Sequence, residues 1–155
     1  MTNKIIQHNH PAWRNTADFI IRAECYDAWH REEPAVEQLW AHKISEGIYE
    51  LCCIPLFLYN ISLGDQVKTD SDYWITEVVK PSGHYTFRVW FGDSKSPGIQ
   101  EAVKLTVEKF GGLYEWYTDK LLAIDVPSHA EADGLAAYLQ EMEDSEELTY
   151  ETGKL

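Results

Sequence analysis

The chain is poor in positive charge: 13 Lys+Arg face 26 Asp+Glu, a formal net charge of −13. Wrapping duplex DNA or coating anionic lipid depends on surplus Lys and Arg, so this balance argues against both. A charged partner, if there is one, is basic. Cysteine is scarce too. Cys25, Cys52 and Cys53 are odd in number, and the vicinal pair is badly placed to bridge to itself. Long apolar runs are missing. The longest, Leu51–Tyr59, is interrupted by Pro55, whereas a membrane span takes ~20 residues. Met1–His8 holds one Lys and two Ile before polarity returns, which is no signal-peptide core. These absences predict a cytoplasmic protein whose three thiols are reduced and behave as small hydrophobes. No GxxxxGK[ST], GxGxxG, HExxH or GxSxG occurs. That excludes the standard phosphate-loop, dinucleotide, zincin and serine-hydrolase readings.

What is present is core-forming material. The 155 residues are 45% hydrophobic and 13% aromatic, and a chain of this size buries ~70% of its unfolded surface. Residues 1–17, with His8, His10, Pro11 and Asn15, lack periodicity and read as a flexible tail. Residues 18–80 read as a β-rich lobe. Phe19–Cys25, Gln38–Ile44, Ile48–Cys52, Gln66–Thr69 and Tyr73–Lys80 have strand character. Polar loops at His30–Pro34, Ser45–Gly47, Ser62–Asp65 and Asp70–Asp72 separate them. Short strands so punctuated predict a small bent sheet or partial barrel.

Residues 81–155 read as a second lobe. The turn Pro81-Ser82-Gly83 leads into a strand with Tyr85, Phe87, Val89 and Phe91 on one face and His84, Thr86, Arg88 and Trp90 on the other. Ser96 as N-cap with Pro97 at the first helical position predicts a helix ending at Gly111-Gly112. A hairpin over Leu113–Val126 follows. Next comes a helix opened by the capping box Ser128/Glu131, with Ala132, Leu135, Ala136, Leu139 and Met142 as its apolar stripe. Glu147–Glu151 completes a β-α-β-β-α-β order. The fold class predicted is α+β, a β-rich lobe followed by a ferredoxin-like one, in one unit.

Chemistry is harder to find. Cys52 and Cys53 sit in an apolar strand, a setting that hides a thiol and raises its pKa. His8-Asn9-His10 and the pair His30 and Glu33 lack a second ligand cluster, so no metal site is expected. No catalytic or cofactor-binding residue is predicted. Trp90 and Arg88, with Tyr114 and Trp116 or with Tyr117, are placed to line a sheet face that binds RNA, or to pack between lobes or on a partner. His84 and Arg88 lie on one side of their strand, as an exposed polar site or as partners of neighbouring carboxylates. The acidic excess is local. Residues 78–130 carry six acids and six bases. After them Glu131, Asp133, Glu141, Glu143, Asp144, Glu146, Glu147 and Glu151 face only Lys154. That end either meets a basic surface or is a solvated helix face.

Three segments taken together carry a resemblance. They are Leu39-Trp40-Ala41, followed by Gly47–Leu51 and Ile54-Pro55; Gly64-Asp65-Gln66-Val67; and Pro81–Val89. Over roughly residues 37–126 they resemble an uncharacterised family of small bacterial proteins, a domain of unknown function, whose pattern runs LWA, IPF, GD-V, SGH-T-R. Leu56 stands where that pattern has Phe, with Phe57 following. The resemblance implies no catalytic residues. Small acidic proteins of this kind resemble immunity proteins encoded beside secreted toxins. The expectation is a non-catalytic binding protein for a basic toxin domain, with Glu141, Glu143, Asp144, Glu146, Glu147, His84, Arg88 and Trp90 as partner-binding residues. The alternatives are a small enzyme or ligand-binding protein with a pocket between the lobes near His84 and Arg88, or an RNA-binding module.

Overall fold

One long strand organises the amino-terminal half. In the computed structural model, which describes residues 4–27, 33–94 and 96–155, β3 (Glu33–Ser45) pairs antiparallel along one edge with β2 (Phe19–Asp27). Its other edge is shared. β1 (Lys4–Ile6) runs parallel to Ala35–Glu37, and β4 (Ile48–Leu51) runs antiparallel to Ala41–Ser45. β5 (Gln66–Thr69) and β6 (Ile75–Lys80) extend the sheet beyond β4. A parallel bridge between Arg22 and Trp74, with the Arg22 N–H donating to the Tyr73 carbonyl at 3.0 Å, curls the far end back onto β2.

The second sheet is antiparallel in the order β10-β7-β9-β8, built from β7 (Tyr85–Trp90), β8 (Leu113–Thr118), β9 (Leu121–Val126) and β10 (Thr149–Thr152). Helices α1 (Ile99–Lys109) and α2 (His129–Asp144) connect β7 to β8 and β9 to β10. The period-2 alternation sends each strand's side chains to two different cores. Phe87, Val89, Leu122, Ile124 and Val126 pack with Val103, Val107, Leu135 and Leu139 of the helices. Leu121 and Ala123 of the same β9 join Ile6, Leu39, Leu51, Ile54 and Val67 of the first sheet, with Trp90 and Tyr117 against them. The fold is α+β, mostly strand, with one sheet sandwiched between the helices and the other sheet. No helix among the described residues is long and apolar enough to cross a membrane.

Several boundaries differ from the sequence reading. Residues 4–17 are not a tail: Lys4–Ile6 forms β1, Ile6 is fully buried, and Trp13 N–H donates to the Cys52 carbonyl. A strand this short has no periodicity to read. The α1 start is displaced because Ser96-Pro97-Gly98-Ile99 closes a turn, with Gly98 at φ 82 and Ile99 N–H donating to the Ser96 carbonyl. Pro followed by Gly is the type II turn pair, and it pre-empts the expected N-cap. Ser128 does cap α2, yet its side chain makes no cap hydrogen bond, so the box is not formed. β10 begins at Thr149 because Glu146 and Glu147 close the end of α2 instead. Glu147 N–H donates to the Met142 carbonyl and Glu146 N–H to the Glu143 carbonyl, the Schellman pattern. Gly111 and Gly112 end α1 in the same way. Gly134, in mid-helix, is there for packing: a Cβ would lie 2.4 Å from the Phe110 ring.

Candidate functional site

Buried polar groups mark where this chain does something beyond packing, because each must be matched by a partner. The deepest set centres on His8. Its Nδ1 lies 2.7 Å from Glu115 Oε1 and its Nε2 2.7 Å from Glu37 Oε2, with all three side chains at 2% exposure or less. Glu37 also accepts the N–H groups of Leu56 and Phe57, and Glu115 those of Ala12 and Ile54. One imidazole and two carboxylates thus tie together the amino-terminal segment, β3, β8 and the Ile54–Phe57 loop. Burial by itself would lower the His8 pKa. Its hydrogen bonds to the Glu115 and Glu37 carboxylates oppose that, and the ring is held well above its ordinary value. Cys53 is fully buried, and burial pushes its thiol up despite His8. Cys52, whose thiol donates to the Glu50 carbonyl, is pushed up to about 12 by burial. Cys–His–Glu are the ingredients of a nucleophile, but a sealed, protonated thiol attacks nothing. The cluster is a structural lock.

Arg88 is a second lock. Of the two expectations for it, an exposed partner-binding site or a pair with a neighbouring carboxylate, the structure corrects the first and has the second: it is fully buried. Its Nε and Nη2 meet Glu151 at 2.9 and 2.8 Å, and its Nη1 donates to the carbonyls of Pro55 and Leu58. Tyr59 lies under the guanidinium, and its hydroxyl donates to Glu151 at 2.7 Å. The face of β7 that carries Arg88 and Trp90 is covered by the first sheet's core, which leaves no bare platform of aromatics and bases there.

His84 is placed differently. Its Nδ1 faces both oxygens of Asp125, at 3.0 and 2.9 Å, and its side chain is 20% exposed. Asp125 is pushed up to about 6, burial outweighing the stabilising contact with His84, with Asp65 adding to the rise. The ring lines a cleft of about 250 Å³ whose walls include Asn60, Ser62, Asp65, Val78 and Pro81 on one side and Tyr85 and Lys154 on the other. Gly64 makes this junction possible: it has φ 85, and a Cβ there would lie 3.1 Å from both Ser82 and Trp13. Asp65 accepts the N–H groups of Ser62 and Ser82, joining the two turns.

Two larger depressions lie at the opposite end of the second sheet, beside residues 91–94 and 96–98. One of about 860 Å³ is lined by Trp90, Phe91, Pro97 and Leu148 and rimmed by Asp93, Glu143, Glu146 and Glu147. Among its described lining residues there is no Lys or Arg. Glu141 and Asp144 lie outside it, so the predicted acidic set is only partly brought together. Glu147 Oε2 is buried without a hydrogen-bond partner, and Glu146 adopts φ 60. His30 lies outside the described residues. Among those described, no three His, Cys, Asp or Glu side chains are grouped to hold a metal ion.

Residues 37–150 match the family described as Domain of unknown function (DUF4265). The chain belongs to this family. No curated protein matches it. A solved structure, described as "Novel crystal structure of a hypothetical protein from Neisseria gonorrhoeae", is similar with a TM-score of 0.73 and 20% identity, covering 96% of this chain and 97% of that one. That likeness shows a shared fold. In this DUF4265 chain the segments first singled out converge on the joint between the two sheets. Trp40 Nε1 donates to the His8 carbonyl, Ile54–Phe57 is held by Glu37 and Glu115, and Asp65, Ser82 and His84 meet at the cleft. Sequence reasoning missed Glu37, Glu115 and Asp125. The signal was present for two of them: Glu115 and Asp125 are each an acid on an otherwise apolar strand face, and such a group needs a buried partner.

Proposed function

We propose that this chain is a non-catalytic binding protein that acts in the cytoplasm and docks a basic segment of another protein, in the role of an immunity protein against a toxin domain. The observation that carries the reading is the acidic groove. Asp93, Glu143, Glu146 and Glu147 rim a floor of Trp90, Phe91 and Leu148 with no counter-charge among the described lining residues. Two details support it. The buried, unpartnered Glu147 oxygen is an acceptor that a partner's donor would satisfy. Glu146 holds a left-handed conformation at the position where α1 uses Gly111, at a cost of roughly 1–2 kcal/mol. Strain kept at a surface groove fits a binding role. In the same reading, residues 81–155 form a ferredoxin-like plait. The order β7-α1-β8-β9-α2-β10 and the antiparallel sheet β10-β7-β9-β8 support that assignment. An acidic groove of this kind would steer a basic partner, raising the association rate by roughly 10–10³-fold.

The test is co-expression with the product of the adjacent reading frame, followed by association kinetics at two salt concentrations. A complex that forms more slowly in high salt, and more slowly again in the triple variant Glu143→Gln/Glu146→Gln/Glu147→Gln, supports the reading. A neighbouring frame without a toxic or secreted domain, together with no bound basic protein, overturns it.

A further inference from the structure

The cleft at His84 has a chemistry of its own, separate from the acidic groove. Its polar atoms are mostly donors without partners. His84 commits Nδ1 to Asp125, and its Nε2 has no hydrogen-bond partner among the described residues. Asn60 is oriented by its backbone: its N–H donates to the Gly153 carbonyl at 2.6 Å, and its Oδ1 accepts the Leu155 N–H at 3.0 Å. That fixes which end of the amide is spoken for and leaves the NH₂ uncommitted. Ser62 Oγ accepts the Thr86 hydroxyl, so its own proton is available. The Lys154 ammonium lies 4.8 Å from the centre of the Tyr85 ring and pairs with no carboxylate among the described residues. In a chain with twice as many acids as bases, an unpaired ammonium beside an imidazole and an amide is a feature that needs an acceptor.

Asp65, the one acid among the described residues that line the cleft, is already engaged by two backbone N–H groups. Asp125 stands behind His84 rather than in the lining. With Nδ1 committed to Asp125, Nε2 is the ring nitrogen left to meet a ligand in the cleft. The volume of about 250 Å³ equals roughly eight waters of liquid, the size of a small metabolite rather than of a peptide. We propose that the cleft between the two sheets binds a small oxyanion, a carboxylate or phosphate group, with His84, Lys154, Asn60 and Ser62 as its donors.

The experiment is a ¹H–¹⁵N NMR titration of the full chain with sodium phosphate and, separately, sodium acetate, each against sodium chloride at matched ionic strength. The expected result is saturable shifts at the Asn60 side-chain amide and at residues 83–85 and 153–155. Saturation by phosphate alone assigns the ligand as a phosphate ester, and saturation by acetate as a carboxylate. Lys154 is exposed, so Lys154→Met leaves the melting temperature unchanged and is expected to weaken binding roughly tenfold, about 1.4 kcal/mol. No saturable shift with either anion, shifts matched by chloride, or a Lys154→Met protein that binds as tightly as the parent would each overturn the proposal. Because the readout involves neither a partner protein nor the groove residues, its failure is distinct from failure of the binding-protein reading.

Discussion

His8 and His84 are both imidazoles set against carboxylates, yet water reaches only one of them. His8 spends both ring nitrogens on Glu37 and Glu115 at no side-chain exposure. His84 spends one on Asp125 and keeps the other beside a cleft. The difference teaches how to sort polar clusters in an unfamiliar chain. A group whose every hydrogen-bonding valence is used inside the protein holds elements together, and a group with one valence left over at a cleft is available to a ligand.

The largest effect expected is on the sealed site. His8→Ala leaves two buried carboxylates without their cation and is expected to cost ~3–5 kcal/mol, read as a lower urea midpoint. His84→Ala removes a partly exposed ring and is expected to cost ~1–2 kcal/mol. Equal losses would erase the distinction between lock and site.

The two clusters also differ in their pH windows. Asp125 is raised from 3.8 to about 6, so the folded state holds its proton more tightly than the unfolded chain does. Its contribution is complete below pH 3.8 and is lost as pH rises through about 6, on the order of 3 kcal/mol. His8 is raised from 6.5, so its contribution is present below that pH and fades as pH rises through the higher folded value. Stability should therefore fall in two steps with rising pH. Asp125→Asn should flatten the first and leave the second, as followed by denaturation across the pH range. A single step in the parent protein would refute the separate windows.

A third contrast is kinetic. Cys53 beside His8 should resist Ellman's reagent in the folded protein at mildly alkaline pH, because burial raises its thiol. In His8→Ala its reaction should accelerate to the rate of unfolding. An unchanged rate would show that something other than the His8 cluster seals the thiol. The smallest effect concerns the acidic end. Glu146→Gly relieves the left-handed strain at φ 60 and should stabilise by ~0.5–1 kcal/mol. Slower capture of a basic partner by the same variant would connect that strain to binding.

Much of the architecture was legible along the chain. The alternation of Tyr85, Phe87 and Val89 against Thr86, Arg88 and Trp90 is reproduced, and so is the hairpin at Thr118–Lys120, because period 2 and turn chemistry are local signals. The α2 stripe of Ala132, Leu135 and Leu139 is buried as its spacing implies. The site was legible only in fragments. His84 was singled out, but its partner Asp125 lies 41 residues away, and no spacing rule links them. Arg88 was expected either in an exposed site or paired with a neighbouring strand's carboxylate; Glu151 of β10 makes that pair, while the carbonyls of Pro55 and Leu58, distant in the chain, are what close the site over.

By itself, the sequence determined the sign of the charge, the element types and which side chains share a face, since composition and periodicity are properties of neighbouring residues. Tertiary structure decided which of the two faces of the second sheet is covered and by what. It also decided that an apparent tail supplies the central imidazole, and that one histidine is sealed while another borders a cleft. Those outcomes depend on residues far apart in the chain meeting in a dry interior, where every polar group must find its partner from whatever the fold brings near.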